Sequence, residues 1–591
     1  MTTPSSATRR VRALLAVLVV LAAPGFAFAA DSLCQERGTP PADLVEKARA
    51  SGLEFTRYQP LAVRGSVDVT PYKIAVREGS VLRVDSAAFA GLRQDAPKAV
   101  TLALPSTGGT VELELVKVEV TTPDFKVVTS DSRGASVPYT PGLHYRGVVK
   151  GVRGSLAAVS VFADEVFGIY RTGAETVVLG RLAGSDNKAG DHLLYREADL
   201  LGAKAFDCGS RDDVARDGSH LDPKEFEEFQ AFQWETPVET QEILAKCVRI
   251  YVEADFDIFQ NKGSAANVTN YITAVFNQSA TLYANDSIPV SLSQVFVWTS
   301  TSPYTSSSSS GLLSQFQQFR NSFNGDLGHL VAFRGGGGIA AGFNGFCNAN
   351  IDNRQCFSGI QSTYQNVPTY SWTVEVFTHE MGHLMGSRHT HACVWNGNNT
   401  AIDGCAAPEG TCARPGIPSA GGTIMSYCHQ QSVGIRFPNG FGSQPGNVIR
   451  NRFASASCLT DCGGNPPPPS CTTFTGSLSG TGAAAIQPNG TWYQSTTSGI
   501  HSGTLTGPSG ADFDLYLYRW NGSAWTIVAR SEGPTSSETI VPKSEVIWTT
   551  YQSARIRKSS SGTGAILCRA FALKALPLVA IQGTSNGKAT A

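Results

Sequence analysis

Residues 379–389 read HEMGHLMGSRH, and this stretch constrains the fold more than any other part of the chain. His379 and His383 are four residues apart, so on a helix they share one face and can bind one metal ion. Gly386 lets the chain leave that helix in a conformation that other residues resist, so His389 can return as the third ligand. Three histidines leave one position of a tetrahedral zinc ion open, which is typical of a catalytic site.

Glu380 lies about 100° round the helix from His379, near enough to act on a water at the open position. The motif therefore predicts one catalytic zinc ion, with Glu380 as the general base. A closed structural zinc site is the alternative, since Cys393 and Cys428 could supply a fourth ligand. His391, two residues beyond the motif, is interpreted as a surface histidine.

The N-terminus is predicted to be a signal peptide. Three arginines precede an apolar run at 13–23, and residues 27–29 (AFA) fit a cleavage site. Eleven apolar residues are too few for a membrane-spanning helix, which needs about 20, and no later run is long enough to anchor the chain. We therefore expect a secreted, extracellular protein, in which many of the 13 cysteines form disulfides.

Length and charge limit the remaining possibilities. The 591 residues predict three or four units at about 100–200 residues per domain. Lysine and arginine number 47 against 48 acidic residues, so no basic surplus exists to bind the phosphates of a nucleic acid. Composition shifts and turn residues then predict the following organisation: signal peptide 1–30, β-rich region 31–208, charged, exposed and partly helical connector 209–246, α/β region 247–462, proline-rich linker 463–470, and β-rich C-terminal region 471–591.

The α/β region alternates strands with helices, which favours a sheet covered by helices. Most of the chain after the zinc helix, up to Cys462, is predicted to be irregular and held by cysteines. The predicted elements are a strand at 247–259, a helix at 267–283, a strand at 290–298, a helix at 312–323, a strand at 327–333, a glycine turn at 335–338, an edge strand at 339–346 and the zinc helix at 373–385.

The pattern HExxHxxGxxH resembles the metzincin clan of zinc proteases, which also has a methionine turn downstream. Residues 422–429 read GTIMSYCH, and Met425 matches that methionine. The resemblance implies a twisted, mostly parallel sheet with helices. It also implies hydrolysis of protein or peptide substrates by a zinc-activated water, with Glu380 and the three histidines in the roles given above. The strand at 339–346 would bind the peptide as an added strand.

Within that clan the sequence is most similar to the bacterial reprolysin-like (adamalysin-like) proteases. Residues 144–168 resemble the adamalysin pro-domain, which implies that the region 31–208 is a pro-domain and 247–462 the catalytic domain. The cysteine pattern HTHACVW…DGC…GTC…MSYC resembles bacterial reprolysin-like enzymes. Thr390 departs from the pattern, since adamalysins have Asp there, astacins Glu and serralysins Pro. Tyr427 matches a tyrosine of astacins and serralysins, which implies an oxyanion-stabilising group or a fifth ligand. A core tyrosine is the alternative for Tyr427.

Cys208 lies in the sequence FDCG at the end of the β-rich region. A thiolate is a good zinc ligand, and metzincin pro-domains often carry such a Cys-Gly switch. The resemblance thus implies a latent precursor, inhibited by its own pro-domain and activated by cleavage between about 208 and 246. A disulfide from Cys208 to Cys34 or Cys247 is the alternative.

The C-terminal region resembles the bacterial pre-peptidase C-terminal (PPC) domain, a small β-sandwich. The similarity rests on residues 512–522 and covers about 472–545, while the last 40 or so residues do not fit. Asp512 and Asp514 are candidate Ca²⁺ ligands, although alternating acidic residues on a strand more often form a solvated face.

Two other functions remain open. A non-catalytic secreted binding protein on a metalloprotease fold would normally carry a damaged motif, whereas Glu380 is intact. A zinc hydrolase with a non-peptide substrate is the second alternative.

Overall fold

The structure is a computed structural model. The predicted signal peptide, Cys34, the linker 463–470 and most of the connector lie outside the described residues. The structure describes residues 40–65, 73, 75–106, 109–172, 175–182, 190–201, 208–210, 223–234, 246–361, 370–460 and 462, and further on 473–478, 482–487, 493–494, 500–506, 511–521, 523–533, 537–540, 551–558 and 565–573.

The N-terminal region is rich in β-strands, as predicted. Its largest sheet has the strand order β1-β4-β5-β8-β9-β10-β11-β12-β3-β2 and is antiparallel except between β1 and β4. The elements are α1 Pro40–Ala50, β1 Thr56–Tyr58, β2 Leu61–Val63, β3 Gly79–Val84, α2 Ser86–Asp95, β4 Ala99–Ser106, β5 Gly109–Lys117, β6 Thr121–Thr129, β7 Ser136–Val137, β8 Leu143–Val149, β9 Leu156–Val161, β10 Val166–Thr172, β11 Glu175–Arg181 and β12 His192–Arg196.

The middle of the chain forms a second sheet, with the strand order β16-β17-β15-β13-β14-β6-β7. Its five central strands are parallel, and the edge strands β16 and β7 are antiparallel. The elements are α3 Pro223–Phe232, β13 Val248–Ala254, α4 Phe256–Lys262, α5 Ala265–Asn285, β14 Val290–Val297, α6 Ser309–Phe319, β15 Leu327–Ala332, β16 Gly337–Ala340, β17 Gln355–Gly359, α7 Tyr370–Leu384 and α8 Ser443–Ser455.

Several predicted elements need correction. The strand at 247–259 stops at Ala254, because the Asp255 side chain accepts from the Phe256 amide and begins α4. The edge strand lies at Gly337–Ala340 rather than 339–346, so glycines expected in a turn belong to it. Strand β17 and helix α8 were not predicted.

The hairpin β6–β7 belongs to the predicted pro-domain but pairs with β14 of the second sheet. Arg249 on β13 holds Asp124 on β6 through two hydrogen bonds of 2.9 and 2.6 Å. The boundary predicted at residue 208 therefore does not separate the two sheets.

Helix α5 lies between the two sheets, and all its residues from 271 to 283 are buried. The Asn277 amide nitrogen donates to Val159 O at 3.3 Å and to Ser160 Oγ at 3.2 Å, while its oxygen accepts from Arg146 Nε at 3.1 Å. The N-terminal region thus covers a helix that also packs against the second sheet.

Helix α3 falls within the connector, which was predicted to be exposed and partly helical. The helix is confirmed, but the predicted exposure is wrong for this segment. Phe229 is fully buried, with its ring centroid 5.2 Å from that of Trp395, and Gln233 donates to Val394 O at 2.9 Å.

Among the described residues, four disulfides connect the part of the chain between Cys247 and Cys462: Cys247–Cys462, Cys347–Cys458, Cys393–Cys412 and Cys405–Cys428. Cys208 and Cys356 are free and buried. The alternative pairing of Cys208 with Cys247 is therefore wrong. Such a disulfide set is typical of an oxidising compartment.

We expect the Cys247–Cys462 bond to be the largest covalent contribution to stability. Its cysteines are 215 residues apart, against 19 for Cys393–Cys412. Because a longer loop loses more chain entropy, removal should cost about 5 kcal/mol in the first case and about 3 kcal/mol in the second. Urea unfolding of the two double-alanine variants, followed by tryptophan fluorescence, measures this order, and an equal or reversed loss would contradict it.

The C-terminal region forms two antiparallel sheets, with the orders β18-β26-β21-β24 and β19-β25-β22-β23. Asp514 is buried, with its carboxylate 3.5 Å from the Tyr516 hydroxyl, so it does not belong to a solvated face. The strands are β18 Thr473–Ser477, β19 Ala484–Gln487, β20 Tyr493–Gln494, β21 Ile500–Thr506, β22 Phe513–Trp520, β23 Trp525–Ser531, β24 Ser537–Ile540, β25 Tyr551–Lys558 and β26 Ala565–Leu573.

Among the described residues, no helix combines the length and hydrophobicity needed to cross a bilayer.

Candidate metal centre

Helix α7 carries the first half of the metal centre. It is buried from residue 371 to its end, and His379 and His383 project from one face because they are one turn apart. Their Nε2 atoms are 3.1 Å apart. Burial lowers the pKa of both imidazoles well below the ordinary value, so both are neutral and able to bind a metal.

The turn after α7 brings back the third histidine. Gly386 has a φ of +111°, and a β-carbon there would overlap Arg452, so both the turn and the packing require glycine. His389 Nε2 consequently lies 3.2 Å from the Nε2 atoms of both His379 and His383.

The hydrogen bonds of His379 and His383 and the spacing of the three rings are compatible with a zinc ion between them. His379 Nδ1 and His383 Nδ1 lie 2.8 Å from the carbonyl oxygens of Ile424 and Ser387. A carbonyl can only accept, so each Nδ1 carries the proton and each Nε2 presents a lone pair. Such lone pairs repel each other unless a cation lies between them. Tetrahedral zinc with bonds of about 2.0–2.1 Å would separate its nitrogens by about 3.3 Å, close to the spacing found here.

Glu380 is fully buried beside the histidines. Its Oε2 accepts from the Cys208 thiol at 3.4 Å, while Oε1 has no hydrogen-bond partner among the described residues. Burial raises the pKa of Glu380 to about 8, although the contacts with Cys208 and Ser210 lower it. A β-carbon at Gly338 would overlap this carboxylate, which explains a glycine in the edge strand.

Cys208 occupies the fourth corner of the cluster. Its Sγ lies 3.4 Å from His383 Nε2, and the possible ligand atoms of Cys208 and the three histidines all lie within 4.8 Å of one another. Burial, and then the charge of Glu380, raise the pKa of the thiol. A thiolate at this position therefore requires a cation among the imidazoles.

The segment around Cys208 pairs with the edge strand β16. Cys208 and Gly338 form a parallel bridge, and the Gly209 amide donates to Gly338 O at 2.8 Å. Ser210 Oγ accepts from the Ala340 amide at 2.7 Å. This segment therefore occupies β16 as an added strand would.

Met425 and Tyr427 both belong to the segment that was predicted to form the methionine turn. Met425 is fully buried under α7, where a β-carbon at Gly382 would lie 2.9 Å from its sulfur. Thr390 binds the Met425 carbonyl oxygen through its amide at 3.1 Å and its hydroxyl at 3.4 Å, which gives this threonine a local role. The Tyr427 hydroxyl accepts from the Cys208 amide at 2.9 Å.

Two further groups at the site were not identified from sequence. Glu409 Oε1 lies 3.0 Å from His389 Nδ1 and 3.6 Å from His391 Nε2. Although burial alone would raise the pKa of Glu409, its hydrogen bonds with the two histidines hold it well below the usual range. His391 is buried and stacks on His389 with ring centroids 4.8 Å apart, so its interpretation as a surface histidine is wrong.

The second unpredicted group is a buried pair one turn before His379. Glu375 Oε1 lies 3.1 Å from His429 Nδ1, and both side chains are almost inaccessible. Glu375 lies four residues before His379 on α7, and His429 lies four residues after Met425, so the sequence could have suggested that both are near the site. It could not have shown that the two side chains meet.

The two cysteines considered as fourth ligands of a closed structural zinc site cannot take that role. Cys393 and Cys428 are both engaged in disulfides, with Cys412 and Cys405. Cys356, the other free cysteine of the described residues, points elsewhere and donates to Gly328 O at 3.7 Å.

Part of the chain matches the model of a known protein family. Residues 245–436 match the model of metallo-peptidase family M12, Reprolysin_5. This match supports a reprolysin-like metalloprotease, and members of the family are typically zinc-dependent and act on proteins or peptides. The matched segment spans β13 to α7, the three histidines and the methionine turn.

One solved structure with similarity is the crystal structure of the Yersinia pseudotuberculosis-derived mitogen (YPM). It matches at 19% sequence identity over 20% of this chain and 88% of that chain, with a TM-score of 0.14. At that TM-score the similarity supports no conclusion about fold or function.

Proposed function

We propose that this protein is a secreted, zinc-dependent endopeptidase that is made as a latent precursor. The observation that carries the proposal is the convergence of three imidazole Nε2 atoms within 3.2 Å of one another, beside a buried glutamate. The family match over residues 245–436 gives the reaction class. Retention of Glu380 argues against a non-catalytic binding protein.

His379, His383 and His389 would hold the zinc ion. A bound zinc ion supplies Lewis-acid chemistry, lowering the pKa of a water and polarising the scissile carbonyl. Glu380 accepts a proton from the water that takes the place of the Cys208 thiol, and passes it to the leaving amine. Its Oε1 has no hydrogen-bond partner among the described residues, and its pKa is raised. Both features support these steps, because the group must accept and then release a proton near neutral pH.

The edge strand β16 orients the substrate. Its Gly338 carbonyl and Ala340 amide bind the segment at 208–210, and the same groups are available to a peptide once that segment leaves. Once the Cys208 amide has left, the Tyr427 hydroxyl would donate to the developing oxyanion.

Latency follows from what now fills the site. Cys208 would be the fourth zinc ligand, and the two residues after it cover β16, so substrate and water are both excluded. The N-terminal region would hold this segment in place through α5 and β14, with cleavage at about 208–246 releasing it. The role of the C-terminal sheets as a PPC-like domain stays a prediction.

We expect proteolysis to depend on zinc. Treating the cleaved, active protein with a strong chelator should remove almost all hydrolysis of a casein gel, and Zn²⁺ should restore it. Mg²⁺ at the same concentration is the control, since an all-imidazole site does not suit it. Zinc binding without any cleavage would instead support the binding-protein alternative.

A further inference from the structure

The three imidazoles of the centre differ in what holds their second ring nitrogen. His379 and His383 are bound to backbone carbonyls, those of Ile424 and Ser387. His389 is bound to a side chain, the carboxylate of Glu409, at 3.0 Å. A carboxylate is the stronger acceptor, and it carries a charge that a carbonyl lacks.

The position of Glu409 is fixed by its backbone on both sides. Its amide donates to His391 O at 3.0 Å, and its carbonyl oxygen accepts from the Cys393 amide at 2.8 Å. Three residues later, Cys412 is joined to Cys393 by a disulfide. The carboxylate is thus delivered to His389 by a segment that is tied to the chain just beyond the histidine.

The contacts of Glu409 reach further than His389. His391 Nε2 lies 3.6 Å from the same Oε1 atom. The His391 ring stacks on that of His389 and also makes an edge-to-face contact with Tyr427, with ring centroids 4.7 Å apart. One carboxylate oxygen therefore faces both the third histidine of the centre and the ring that packs against Tyr427.

We propose that Glu409 is a positioning residue for His389, which it holds in the tautomer and orientation needed to bind zinc. The inference rests on the proposed zinc site. An anionic acceptor on Nδ1 fixes the proton there, leaves the Nε2 lone pair facing the other two histidines, and increases its basicity. Thr390, next to His389, instead supports Met425, so the carboxylate that orients this histidine comes from a distant loop.

The test measures zinc affinity by competition with a chromophoric chelator on the full-length protein, so it does not depend on activity. Glu409→Gln keeps the shape and removes the charge, and should weaken zinc binding about 10–100-fold. Glu409→Asp withdraws the carboxylate by one methylene and should also weaken it. Asp403→Asn is the matched control, because Asp403 is a buried carboxylate of the same loop whose Oδ1 accepts from the Cys405 amide.

A purely structural role predicts a different result. If Glu409 is purely structural, Glu409→Gln should lower the midpoint temperature of unfolding of the zinc-free, chelated protein. If Glu409 is a positioning residue, Glu409→Gln should lower only the increase in that temperature that zinc provides. The inference is overturned if Glu409→Gln binds zinc as tightly as the wild type, or if Asp403→Asn weakens binding equally. Failure of the proposed zinc site itself looks different, since the wild type would then bind no zinc and His383→Ala would change nothing.

Discussion

Glu380→Gln should reduce peptide hydrolysis about 10²–10⁴-fold while the protein keeps its zinc. The amide has nearly the same shape as the carboxylate but cannot accept a proton, so the water would lose its base. Zinc should stay, because the cluster able to hold it consists of Cys208 and the three histidines, without Glu380.

The measurement needs the activated protein, cleaved in the connector, with a quenched peptide substrate for the rate and metal analysis for the zinc content. Glu375→Gln is the control, since it removes a buried carboxylate from the same helix. This carboxylate pairs with His429 and does not belong to the cluster of Cys208 and the three histidines. Hydrolysis at the wild-type rate in Glu380→Gln would end the assignment of the general base.

Helix α7 and the approach of its two histidines to His389 could be predicted because their signal is local. The four-residue spacing places two histidines on one face, and a glycine with positive φ turns the chain for the third. Most helices and strands of the second sheet followed likewise from the period of their apolar residues. Strand β17 was missed because five residues, two of them small, do not show a period.

Contacts between distant segments could not be predicted in this way. Backbone hydrogen bonds and the Cys393–Cys412 disulfide bring Glu409 to His389, and the connectivity of cysteines cannot be read from their spacing. The same limit explains His391, which has the sequence context of a loop residue and is nevertheless buried.

The hairpin β6–β7 shows this limit at the level of domains. Its strand pairs with β14, more than 150 residues along the chain, after a stretch that belongs to another sheet. Alternation in the sequence predicts a strand but not its partner, so the pairing of β6 with β14 could not be predicted. Through this pairing the N-terminal region forms one edge of the second sheet, and the strand that carries Gly338 forms the opposite edge.

Cys208→Ala should make the uncleaved precursor active, with a rate at least about tenfold above that of the wild-type precursor. The thiol is the one group of the segment at 208–210 that reaches both Glu380 and His383. Without it, the fourth position opens to water. Release should be partial, because Gly209 and Ser210 still bind β16, and a tethered segment competes at an effective concentration on the order of millimolar.

Initial rates taken before any cleavage is visible on a gel separate this effect from activation by processing. Cys356→Ala is the matched control, because Cys356 is the other free, buried cysteine of the described residues and its thiol donates to Gly328 O rather than to the cluster. It should leave the precursor latent. If Cys208→Ala is as latent as the wild type, the segment would block the site through its strand pairing with β16 alone, and the thiol would not be a zinc ligand. Adding Ser210→Ala to Cys208→Ala then distinguishes the two contributions, since loss of the Ala340 contact should raise the rate further only if strand pairing sustains the remaining inhibition.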